Sequence, residues 1–221
     1  MRTLPCGLAV LNLALGVSAS GCGQVVTSQA DNSRTNANIH EKRLRPTNVN
    51  TTSFGKLFSR TVDGDIYAQP LFVPSLNIPG VGKRDVVFVA TEHDTVYAFD
   101  TVGASDKPIW KVSFSDVAKG VTPVPAQDTR CPFIQPEIGI TSTPVIDLSS
   151  ATLYVLARTK EKGKYVQRLH ALDIATGREK PNSPVVIAAS VRGTGTASVS
   201  GKVSFDPLRE SPRPALLLAS G

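Results

Sequence analysis

The stretch Val96 to Trp110, VYAFDTVGASDKPIW, is written again in altered form from Leu169 to Lys180, LHALDIATGREK. Each copy runs from an aromatic or His residue through Ala, a large apolar residue and Asp into a loop rich in Thr and Gly. The two Asp residues, Asp100 and Asp173, stand 73 positions apart. Such self-similarity marks supersecondary units that cannot bury their apolar faces alone and must stack on one another. This constrains the fold more than any other feature of the chain.

The likeness extends beyond the phrase. The first unit holds IYAQPLFVPSL (66–76), DVVFVATEHDTVYAFD (85–100) and PIWKVSF (108–114). The second holds ITSTPVIDLSS (140–150), TLYVLARTK (152–160), YVQRLHALD (165–173) and SPVVIAASV (183–191). Pro70 and Pro144 are 74 apart and Phe88 and Tyr154 are 66 apart, because one unit has the longer loop NIPGVGKR and the other the longer turn KEKGK. Length changes confined to turns are what repeated units tolerate. The apolar runs are short and rich in Val, Ile, Phe and Tyr, so each unit reads as four strands. With 41% apolar and 19% charged residues the chain can build a core, and its 17 Gly and 16 Pro supply the turns.

The expected fold is therefore all-β, a β-propeller of four-stranded antiparallel blades. Blade 1 is expected at about 61–120 and blade 2 at about 136–192, with the start of blade 3 at about 205–221. RPALLLASG (213–221) supplies the first strand of the third blade. Two blades and one strand cannot close a ring of about four to eight. The sequence is expected to be the N-terminal part of a longer protein, an incomplete propeller. The rival expectation is a two-unit protein that completes its ring by oligomerising.

Residues 1–22, MRTLPCGLAVLNLALGVSASGC, read as an export signal. Arg2 gives the positive start, and the apolar run from Leu8 to Val17 is too short to span a membrane. Two endings stay open. A signal peptidase can cut after Ala19, or ASGC serves as a lipobox, with Cys22 lipidated and the chain attached to a membrane. Residues 23–60 are polar and are expected to be a flexible tether. The expected location is the periplasm or cell envelope. Cys6 falls in the signal, Cys131 is left alone in the folded part, and nothing has metal-site spacing. The net charge of +6 comes from scattered Lys and Arg, grouped only at Lys42–Arg45 and Lys160–Lys164. With no basic stripe and no recognition motif, a nucleic-acid partner is not expected.

LHALDIATGREK resembles the quinoprotein-type propeller repeat, whose core runs Ala-x-Asp-x-x-Thr-Gly-x-x-x-Trp. Ala171, Asp173, Thr176 and Gly177 fill it, although Pro181 and Asn182 stand where Trp is due. In the first copy Ala98, Asp100 and Trp110 fill it, and Thr-Gly is disturbed into TVGASDK. DGDIYAQPLFVPSL, VFVATEHDTVYAFD and CPFIQPEIGITSTPVID extend the likeness over about 47–221. There the chain is similar to exported bacterial quinoprotein-like, or pyrroloquinoline-quinone-repeat, proteins. The resemblance implies a propeller. In the family's enzymes it further implies pyrroloquinoline quinone stacked on Trp, a calcium ion on oxygen ligands, an Asp base and a pair of adjacent Cys; this chain has no such pair.

The motif residues have a structural reading of their own. Asp at the end of the third strand can accept N–H groups of the following turn, and Gly admits φ > 0. Trp can fill the gap between neighbouring sheets. Ala98, Asp100, Trp110, Ala171, Asp173, Thr176 and Gly177 are thus expected to be structural. Glu137, just before the inner strand of the second unit, is the best carboxylate on offer for a cofactor or calcium ion. His93 is expected in a solvated turn. Asp63 and Asp65 in VDGDIY lack the later ligands of a calcium loop and are expected in a plain turn. None of His40, His93 and His170 lies beside a nucleophile motif. RGTGTASVSGK (192–202) lacks P-loop spacing and reads as a long loop. No catalytic residue and no metal site is assigned. The leading expectation is an exported propeller acting as a binding or scaffold module, its ligand or protein partner unknown. The alternative is the N-terminal part of a pyrroloquinoline-quinone-dependent dehydrogenase whose catalytic residues lie further along.

Overall fold

The computed structural model describes residues 23–39, 41–102, 105–130 and 133–219. Cys6, Cys22, His40 and Cys131 lie outside them, and with them the expected export segment and the expected lipidation site. The described chain is all-β, 36% strand and 4% helix, in antiparallel sheets of which none is closed.

The first sheet follows the chain: β1 (Leu71–Ile78), β2 (Gly82–Thr91), β3 (Thr95–Asp100) and β4 (Trp110–Ser113) lie side by side in that order. The register of β1 on β2 shifts between Val73 and Leu76. Pro74, which has no N–H to give a ladder, lies within the shift, and the Ser75 N–H goes to Asp85 Oδ1 at 2.7 Å instead. β2 and β3 form a tight hairpin, closed by Thr91 opposite Thr95. Its turn is Glu92-His93-Asp94, with Asp94 at φ 54°.

The second sheet is larger than the four strands expected. After a 3₁₀ turn (Val117–Lys119) come β5 (Val121–Pro125), a four-residue helix (Ala126–Thr129), β6 (Glu137–Ile138) and β7 (Val145–Asp147). β8 (Thr152–Glu161), β9 (Lys164–Asp173) and β10 (Val185–Val186) follow. β8 and β9 pair along their full ten residues. β7 is short and covers only Thr152–Tyr154 of β8. The far half of that edge would be left with unpaired backbone. β5 fills it at Thr159–Glu161 and carries β6 beside it, giving six strands. Beyond lies a two-stranded ribbon of β11 (Ser190–Arg192) and β12 (Lys202–Ser204), closing what the sequence reads as a loop. Residues 213–219 form no strand; Leu216 N–H donates to Thr143 O at 3.0 Å.

One apolar core joins the sheets: Leu71, Val86, Phe88 and Trp110 from the first, Leu153, Val155, Leu172 and Ile174 from the second. The two copies of the repeated phrase meet there. Trp110 donates its indole N–H to Ile174 O at 3.0 Å, in the turn after Asp173. In the same turn Asp173 Oδ1 accepts from Ala175 N, Thr176 N and Thr176 Oγ1 at 3.1, 2.9 and 2.8 Å. Gly177, at φ 69°, is where a Cβ would lie 2.7 Å from the Trp110 ring. Asp100 Oδ1 accepts from Val102 N at 2.9 Å, and Asp100 Oδ2 pairs with Arg84 at 3.1 Å. The chain just after residue 23 is part of this seam. Val25 pairs with Phe72 on the edge of β1, and Val26 O accepts Ile146 N of β7 at 2.8 Å.

Candidate functional site

The β2–β3 turn carries three titratable side chains in a row, and the chain closes around them. Asp63 reaches over the hairpin. Its carboxylate accepts Thr91 Oγ1, Thr95 Oγ1 and Lys111 Nζ, each at 3.0 Å. Burial pushes its pKa up, but these bonds outweigh burial and hold it below the usual value. Asp65 supplies its carbonyl to Glu92 N at 2.9 Å. VDGDIY is thus a clamp on the hairpin.

The loop leading into β7 packs onto the turn from the second sheet. Gly139 lies against it so closely that a Cβ would stand 2.4 Å from Glu92 O. Glu92 is buried; its Oε2 accepts Gly139 N at 2.8 Å and Thr141 Oγ1 at 3.0 Å, and its Oε1 has no partner. Asp94 is buried too. Its Oδ1 accepts Arg158 N at 3.3 Å and its Oδ2 has no partner. Burial raises the pKa of both carboxyls, that of Asp94 well above the ordinary range. His93 turns outward and meets Glu137: Nδ1 and Oε1 are 2.6 Å apart.

Two clefts open over this floor. One, of about 450 Å³, is lined by Phe133, Ile134, Ile138 and Leu208 with Arg158 and Arg209. The other, of about 380 Å³, is lined by Ser28, Gln29, Thr141 and Thr143 with Arg34. Tyr67 and Arg213 line both. No Asp or Glu lines either cleft.

The walls are held by polar side chains of the second sheet. Arg158 and Gln167 face each other across β8 and β9, and both are buried. Arg158 Nε donates to Pro207 O at 3.1 Å and Nη2 to Leu208 O. Gln167 Nε2 donates to Pro207 O at 3.1 Å and Glu210 O at 2.7 Å. On the other side Ser142 Oγ donates to Pro214 O at 2.6 Å, and Arg34 Nη2 donates to Leu216 O at 2.9 Å. Between these fixed stretches stands Arg213, its backbone further restricted by Pro212 and Pro214. Its guanidinium is exposed and makes no hydrogen bond to a described residue, and its charge acts on the Glu92 carboxyl.

Of the residues singled out from sequence, Glu137 and His93 come together beside the floor, Trp110 and Gly177 meet at the seam between the sheets, and Asp100 and Asp173 hold their own turns. Among the described residues no three of His, Cys, Asp and Glu are placed to hold a metal ion. Trp110 is enclosed, its N–H on Ile174 O, and offers no ring face to a planar cofactor. The described residues therefore do not assemble a seat for a quinone with its calcium ion. Arg158, Gln167, Tyr67 and Arg213 were not foreseen. A signal for two of them exists: Arg158 and Gln167 interrupt apolar strand runs, and both are buried on the face opposite Leu153, Val155 and Leu172, where a polar group demands partners. Compared with known proteins, the chain matches no family model, no curated protein and no solved structure.

Proposed function

We propose that the chain is part of an exported, quinoprotein-like β-propeller that works as a binding module. In this reading the two large sheets are neighbouring blades, the loops over the Glu92–Asp94 turn form the binding face, and Cys22 carries a lipid that holds the protein at the envelope. The observation that supports it best is the meeting of the repeated phrases, with Trp110 of one copy seated on the turn Ile174–Gly177 of the other. Contacts between neighbouring copies of a repeated phrase, spent on the joint between units, are how stacked repeats hold together. The clefts over the Glu92–Asp94 turn bring arginines, a tyrosine and hydroxyls to one opening, with fixed walls. That arrangement suits holding a ligand.

The test is turnover. The chain is incubated with pyrroloquinoline quinone, calcium and a dye acceptor, with primary alcohols and aldoses as substrates. The expected result is no dye reduction above that of free quinone. Turnover that depends on the protein would overturn the binding-module reading in favour of a dehydrogenase.

A further inference from the structure

We infer that the ligand of the paired clefts is a small organic monocarboxylate with an apolar body, its carboxylate on Arg213 and its body against Ile134, Ile138, Leu208 and Phe133. This deepens the binding-module reading and rests on it. Four arginines border the clefts, and three are committed. Arg34 binds Thr27 Oγ1, Ser28 O and Leu216 O; Arg158 binds Pro207 O and Leu208 O; Arg209 Nη1 binds Thr129 O at 3.2 Å. Arg213 alone keeps its donors for something else, and it stands where the clefts join. One unpaired guanidinium matches one planar carboxylate through two parallel bonds.

The clefts differ in what they offer the rest of the molecule. Ile134 and Ile138 are buried side chains whose surfaces form an apolar wall, and Leu208 closes it from the pinned loop. The opposite cleft presents Ser28, Gln29, Thr141 and Thr143, which suit a hydrated carboxylate edge and not a hydrocarbon. The ligand's tail is therefore directed to one side. Its size is bounded by about 450 Å³, toward the lower end of small-molecule sites.

Calorimetric titration of the whole chain with decanoate tests this, beside decanol, decyltrimethylammonium and decyl phosphate. Decanoate is expected to bind one-to-one, and the alcohol and the cation at least about tenfold more weakly. Arg213→Gln, an exposed change that leaves the core untouched, is expected to weaken decanoate by about tenfold to a hundredfold. Arg178→Gln, away from the clefts, is expected to leave it unchanged. Decanol binding as tightly as decanoate, decyl phosphate binding more than tenfold tighter, or equal losses in both variants would overturn the assignment. Those results concern the ligand class only, whereas protein-dependent dye reduction strikes the binding-module reading and leaves the decanoate result standing.

Discussion

Gly177 and Trp110 show how much one contact can decide. Gly177 needs φ 69°, which an L side chain adopts only under strain, and its missing Cβ is where the indole lies. Gly177→Ala is expected to cost about 2–4 kcal/mol, since strain and a clash with a buried ring add. Urea unfolding followed by Trp110 fluorescence would measure it; a loss under about 1 kcal/mol would mean the indole moves aside freely. Asp94 gives a prediction of different sign. Burial raises its pKa, and Glu92 and Glu137 add to the rise against the N–H and charge of Arg158. The folded state then holds this proton more tightly than the unfolded state. Its stabilising effect is complete below the ordinary carboxylate range and is lost as pH rises through the folded pKa. Asp94→Asn, whose side chain cannot ionise and which tolerates positive φ, is expected to gain melting temperature relative to the parent as pH goes from 4 to 8. A constant difference across that range would show that Asp94 is not the titrating group. At this scale the turn bonds of Asp100 and Asp173 lie within one window of sequence, whereas Trp110 finds its partner 64 positions further on. The two buried carboxyls could not be read in the sequence, because what encloses them is Gly139 and Thr141, more than 40 positions further on.

The strands followed from the pattern of apolar runs, and the β2–β3 and β8–β9 hairpins from their turns. The extra strands did not. β5 exists because β8 outruns β7, and the length of an unpaired edge belongs to the assembled sheet, not to any window of sequence. The loop 206–210 is a similar case: it has no strand or helix of its own and is fixed by Arg158 and Gln167 below it. Gln167→Leu keeps the volume but removes two donors. It is expected to leave the β8–β9 amides protected while the amides of Leu208–Glu210 exchange at least about tenfold faster, since two bonds of about 1 kcal/mol each are lost. Unchanged exchange at those amides would show that Arg158 alone holds the loop.

At the scale of the molecule, the phrase that repeats also joins the sheets, which is why an all-β array could be expected from the sequence. Its closure could not, since none of the sheets closes on itself. The placement of Val25 and Val26 between β1 and β7 was hidden as well. A polar stretch carries no mark of the two residues that insert into a seam. That insertion sets a height. If Cys22 bears a lipid, only Gly23 and Gln24 separate the anchor from a residue locked into the sheets. At about 3.5 Å per extended residue the folded body stands roughly 10 Å from the bilayer surface and has little freedom to swing. Cys22→Ser is expected to release the protein from membranes into the aqueous phase on detergent partitioning, whereas retention would place the anchor elsewhere. A leash this short would act as a mounting plate, fixing which side of the protein faces the lipid headgroups.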